Sequence, residues 1–163
     1  MQSALAMTRA YFEGEFGIEV VEAGHGCGEL DSMSLLDMTT TVEIGAPFNL
    51  LVAMSFQACL VDTLYERMTD GFDVQPDEVE TYREAAIGDV VNTIFGHCTM
   101  RLQKLNMAGI SLSPPVFVEQ LHAIRRIENE AFCRQGLNTE FGRMDINLVG
   151  RREQFGAVMD DVK

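Results

Sequence analysis

The spacing of apolar positions changes several times along the chain, and each change marks an element. Leu5, Thr8 and Phe12 recur at helical spacing and predict a first helix over residues 3–13, closed by Gly14. Residues 17–21 read as a short strand. The stretch Gly24-His25-Gly26-Cys27-Gly28 lacks the lysine and following helix of a phosphate loop, so it is predicted to be a plain loop. Residues 37–45 and 48–56 read as two strands around Gly45-Ala46-Pro47. The run Leu50 to Met54 is continuously apolar, the pattern of a central strand covered on both faces. Leu60, Val61, Leu64 and Met68 then form one helical stripe, ended by Thr69-Asp70-Gly71.

The longest periodic segment runs from about Asp77 to Leu105. Pro76 precedes it, Asp77 and Glu80 stand at capping-box spacing, and acidic residues lead while Arg101 and Lys104 end it, as the helix dipole favours. A helix of this span is roughly 43 Å long. Beyond it, Ile110 to Val118 is extended, since the pair Pro114-Pro115 disfavours helix. Residues 131–138 and 144–148 read as a hairpin about Thr139 to Gly142. Met144 to Leu148 alternates strictly, which predicts one buried and one wet face and an edge that must be paired or covered. Arg151 to Lys163 reads as a short helix or frayed tail. Helices clustered between antiparallel-type strands give an α+β fold, one domain over 1–163, with helices 57–69 and 77–105 on one face of a mostly antiparallel sheet.

Composition narrows the function. The 163 residues are 47% hydrophobic, enough for one core, and carry a net charge of -13. That charge argues against nucleic acid and against an anionic membrane surface as partners. The longest apolar runs are far short of the ~20 residues of a spanning helix. The N-terminus lacks the basic lead-in of a signal peptide, and a cytoplasmic location is expected. Cys27, Cys59, Cys98 and Cys133 show no zinc or redox spacing and are expected to be reduced, with Cys59 and Cys98 as small core residues on helices. The histidines His25, His97 and His122 have no metal-binding spacing, and no nucleophile-elbow motif occurs.

The long helix carries the one unusual pattern. On a wheel at ~100° per residue, Ile87, Val90, Val91, Ile94, Cys98 and Leu105 form the core stripe. Ala85, Asp89, Asn92 and Gly96 share the opposite side. Glycine costs ~1 kcal/mol against alanine in a helix interior, and a merely solvated face would favour Glu, Lys or Arg. Such a face is shallow and presents a carboxylate and a carboxamide three residues apart. A crossing helix over Gly96 would also account for the small residue.

The stretch from Glu84 to Gly96 resembles the signature helix of the CheC/CheX/FliY phosphatases of bacterial chemotaxis, in which a Glu-x-x-Asn pair projects from the helix. Gly88 before the acidic residue, Gly96 four after Asn92 and Pro114, 22 residues after Asn92, match that pattern. The likeness runs from Thr40 to about Gly150 and follows CheX, with one signature helix, more than CheC. Two positions depart from it: the acid is Asp89, one methylene shorter than glutamate, and Ala85 stands where Asp or Ser is common. The resemblance implies a CheX-like α+β fold and a protein aspartyl-phosphate phosphatase, whose partner is a phosphorylated CheY-like response regulator. It implies Asp89 and Asn92 as the catalytic pair, magnesium supplied by the regulator rather than this chain, no cofactor of its own, and a homodimer. A non-catalytic regulator-binding module on the same fold is the alternative.

Overall fold

In the computed structural model, residues 1–104, 109–118 and 130–155 are described. Among them the elements are α1 (Gln2–Phe16), β1 (Val21–Glu29), β2 (Met38–Ile44), β3 (Leu50–Phe56), α2 (Ala58–Met68), α3 (Val79–Lys104), β4 (Val116–Phe117), β5 (Glu130–Thr139) and β6 (Gly142–Arg151). Short 3-10 turns cover Leu30–Ser32 and Arg152–Phe155. The six strands form one sheet in the order β1-β5-β6-β3-β2-β4, antiparallel at every pairing. This is the α+β architecture that the pattern predicts.

The core lies between the helices and one face of the sheet. Val52, Met54 and Phe56 of β3 and Met144 and Ile146 of β6 meet Phe12 of α1, Leu60, Val61 and Leu64 of α2, and Ile87, Val91 and Ile94 of α3. Each such side chain, fully buried, contributes about 1.5–3 kcal/mol. The other face of the sheet carries a smaller cluster of Leu30, Met33, Ala53, Phe132 and Val149. β3 is therefore buried on both sides and central, as its unbroken apolar run predicts.

Several expectations are corrected. α1 does not end at Gly14 but continues to Phe16, because Tyr11, Phe12 and Phe16 pack edge to face. Gly17, at φ 62°, closes it: its N–H donates to the Glu13 carbonyl, and the Ile18 N–H donates to the Phe12 carbonyl. At 15 residues α1 is longer than the 11-residue α2, so three helices, not two, cover the face. The strand expected over 17–21 starts at Val21, and the glycine-rich stretch expected as a loop is its continuation, β1, paired with β5. α3 begins at Val79 without an Asp77–Glu80 box: the Glu78 carboxylate accepts the Gln75 N–H at 3.3 Å, and Glu80 pairs with Arg83 at 2.9 Å.

β6 is not an edge and has no wet face. It lies between β5 and β3, and Asp145 and Asn147 are buried. Arg143 donates to Asp145 at 2.8 Å, and the Asn147 amide nitrogen donates to the Ala53 carbonyl at 3.2 Å, while the Asn147 Oδ1 is buried without a hydrogen-bond partner among the described residues. The edges are β1 and β4. The cysteine expectations also change. Cys27 and Cys133 stand opposite each other in β1 and β5 and are joined by a disulfide, with Cα atoms 4.1 Å apart. Cys59 is exposed rather than in the core, while Cys98 is buried as expected. Leu105, His122 and the tail beyond Phe155 lie outside the described residues.

Candidate functional site

The site is built on α3, which runs unbroken through Gly88 from Val79 to Lys104, about 39 Å at ~1.5 Å per residue. Its buried stripe is Ala86, Ile87, Val90, Val91, Ile94, Phe95 and Cys98. That anchorage outweighs the ~1 kcal/mol each that Gly88 and Gly96 cost as helix residues. Arg83 ties the N-terminal part of α3 to α2 through Asp62, at 2.9 Å. The helix is therefore a fixed platform.

The opposite side of α3 points away from the core. Ala85, Asp89 and Asn92 are exposed, and Gly96 is half-buried. Asp89 and Asn92, three residues apart, are neighbours on this surface. A Cβ added at Gly96 would meet nothing within 4 Å among the described residues, so no described helix crosses there and their packing does not require the glycine. A Cβ added at Gly88 would make only an ordinary contact, 3.9 Å from the Phe117 ring of β4, so packing among the described residues does not require that glycine either. Ile110 and Leu112 run extended beyond α3, but only Val116–Phe117 pair as β4 within the segment expected to follow the helix.

Two shoulders flank the Asp89–Asn92 row. Phe117 lies beside Gly88 on one side. On the other lies Tyr11 of α1, whose phenol has Thr93 and Asp89 of α3 as neighbours. Burial pushes the Tyr11 phenol above its usual pKa; Thr93 opposes the rise, and the Glu15 and Asp89 carboxylates add to it. Tyr11 therefore stays a neutral O–H donor at physiological pH. It could not be found from the sequence, because nothing in the periodicity of α1 says that its Tyr11 flank abuts α3.

Asp89 and Asn92 together offer an anionic acceptor and a neutral group with both donor and acceptor capacity. That pair can seat a cation and orient a water, but it lacks an activated nucleophile. Among the described residues no group of three His, Cys, Asp or Glu is arranged to hold a metal ion. No described helix is long and apolar enough to cross a membrane.

No family model and no curated protein matches the chain. Solved structures do. A chemotaxis protein CheX from Desulfovibrio desulfuricans aligns at 16% identity with a TM-score of 0.73, over 90% of this chain and 95% of that one. A CheC-like superfamily protein from Shewanella sp. PV-4 aligns at 13% identity with a TM-score of 0.71, over 91% and 94%. The CheX–CheY–BeF3–Mg2+ complex from Borrelia burgdorferi aligns at 14% identity with a TM-score of 0.66, over 93% and 97%. Across nearly its whole length, then, this chain has the fold of the CheX and CheC-like chemotaxis proteins.

Proposed function

We propose that the protein is a phosphatase that removes the phosphoryl group from the phospho-aspartate of a CheY-like response regulator. The observation that carries this reading is the outward-facing Asp89–Asn92 pair, on an unbroken helix and within a face kept shallow by Ala85 and Gly96. The Borrelia CheX–CheY complex supports the choice of partner.

Hydrolysis of an acyl phosphate needs a water in line with the leaving carboxylate oxygen, so positioning supplies most of the acceleration. Asn92 enters the regulator's site and holds that water through its carboxamide, which adds no charge beside the phosphoryl group. Asp89 pairs with the regulator's active-site lysine and sets the depth of insertion. The regulator's magnesium supplies charge stabilisation; this chain contributes no metal ligand to the reaction. We further propose a cytoplasmic protein that works as a homodimer. The edges available for pairing two copies are β1 and the two-residue β4, since the stretch from Met144 to Leu148 is interior to the sheet.

A second reading, docking without hydrolysis, draws on the shorter reach of Asp89 compared with glutamate. One experiment separates the two. The regulator is phosphorylated with a small-molecule donor, and its decay is followed on phosphate-affinity gels with and without this protein. Faster decay supports the phosphatase; binding with unchanged decay supports the docking module; neither leaves both readings wrong.

A further inference from the structure

We propose that the Cys27–Cys133 bridge is a reversible thiol–disulfide exchange site, reduced in the folded protein by a dithiol, and that it latches the edge strand β1 to β5. Its chemistry is independent of the phosphatase reading; its use rests on the cytoplasmic location proposed above.

Packing holds β1 only weakly. None of its nine residues is buried. Gly24, Gly26 and Gly28 have no side chain to pack, and glycine weakens a strand interior. The register on β5 shifts between Glu22 and His25, so the ladder is two short pieces. The Gln135 amide donates to the Gly24 carbonyl at 3.1 Å, and Glu22 and Glu29 pair with Arg9 and Arg152. Both ion pairs are exposed, and such pairs hold little. The flanking segments are firm by contrast. Ile18 and Val20 before the strand lie in the main core, and Leu30 and Met33 after it lie in the cluster on the other face. Opening of β1 therefore frees a segment pinned at both ends and leaves the core in place.

A reductant can reach the bridge. Both cysteines are half-buried, β1 is an edge of the sheet, and their side chains pack with Ala131 and Phe155 in a cluster apart from the main core. A thiolate of the dithiol attacks one sulfur; the S–S bond breaks, a mixed disulfide forms, and the other cysteine leaves as a thiolate and takes a proton. The dithiol's second thiolate then displaces the remaining cysteine. The dithiol ends as a disulfide, and the protein gains two electrons and two protons. Cys27 and Cys133 stand directly opposite in the register, so a disulfide oxidant such as glutathione disulfide can close the bridge again. In a reducing compartment such bridges are mostly transient, with redox-sensing or catalytic roles. Closed, β1 is a firm outer edge of the sheet; open, it is a loop beside an unpaired β5.

The test treats the native protein with dithiothreitol, without denaturant, and counts alkylated thiols by mass spectrometry. Two labels beyond that on Cys59 should appear, with circular dichroism showing the fold retained. Hydrogen exchange should quicken roughly tenfold or more at the amides of residues 25–29, with little dependence on dilute urea, because a local opening exposes little surface. Glutathione disulfide should reverse both changes. A chain carrying Cys27→Ser and Cys133→Ser should show the fast exchange with or without dithiothreitol. A bridge that is reduced only in denaturant overturns the inference. So does a reduced protein in which residues 25–29 exchange no faster than before, or quicken only in step with β3 and β6. None of these readings needs a regulator, so they stand whether or not the phosphatase reading does.

Discussion

Gly96→Ala separates the demands of the fold from those of the functional face. The residue lies inside α3, eight positions before its last residue, Lys104. An added methyl meets no atom of the described residues within 4 Å, so they impose no steric cost. The Thr99 hydroxyl donates to the Gly96 carbonyl at 2.9 Å, a backbone contact that alanine keeps. What remains is helix propensity, worth about 0.8–1.0 kcal/mol in favour of alanine. For a chain of this size that raises Tm by roughly 2–4 °C, and it moves a urea midpoint upward by roughly 0.3–1 M. Regulator binding should move the other way. A methyl forced into a close-fitting contact typically costs about 1–3 kcal/mol, which is roughly five- to a hundredfold in affinity. Urea unfolding followed by circular dichroism, alongside a binding titration, reads both. A less stable variant would mean that something covers Gly96 in solution. A more stable variant that binds as tightly as wild type would show that this part of α3 is not the docking surface.

Gly88→Ala should also stabilise the fold by up to about 1 kcal/mol, because its methyl reaches the Phe117 ring at an ordinary 3.9 Å; denaturant unfolding checks this. Alkylation of the folded, unreduced protein should label Cys59 alone, with Cys98 reacting only on unfolding and Cys27 and Cys133 only after reduction; mass spectrometry counts the labels, and four reactive thiols would refute the disulfide. The bridge spans 106 residues, so replacing both its cysteines by serine should lower stability by as much as ~4.7 kcal/mol in the chain-entropy treatment of a loop of ~100 residues. Burial raises the Cys98 thiol from 9.0 to about 11, so the unfolded chain releases that proton first as pH rises. Stability should therefore be level in this respect below pH 9 and fall between pH 9 and about 11, and Cys98→Ala should flatten that fall in unfolding measured across the range.

The sequence pattern speaks clearly where structure is local. α3 is legible because its 3.6-residue period is long and its buried stripe unbroken, and the same wheel places Asp89 and Asn92 outward. β3 is legible because a short, continuously apolar run suits a strand covered on both faces. β1 is not, because Gly24, Gly26 and Gly28 carry no side chains from which a period could be read; its strand character comes from pairing with β5, more than a hundred residues away. β6 misleads for a related reason. Alternation marks two different faces but does not say that the polar one is wet, and Asp145 and Asn147 are buried through Arg143 and the Ala53 carbonyl. The Cys27–Cys133 bridge and the Tyr11 shoulder depend equally on tertiary register, so local spacing could reveal neither.

The central claim is that Asn92 positions the attacking water, and one comparison tests it most directly. The decay of a phosphorylated regulator is measured with saturating wild type and with saturating Asn92→Ala, after a titration confirms that both bind. Asn92 is exposed, so its loss removes no core contact and slightly favours the helix. The account predicts that the variant binds with similar affinity and accelerates decay ~10²-fold less, roughly 3 kcal/mol of barrier. Equal acceleration by the two proteins would contradict it.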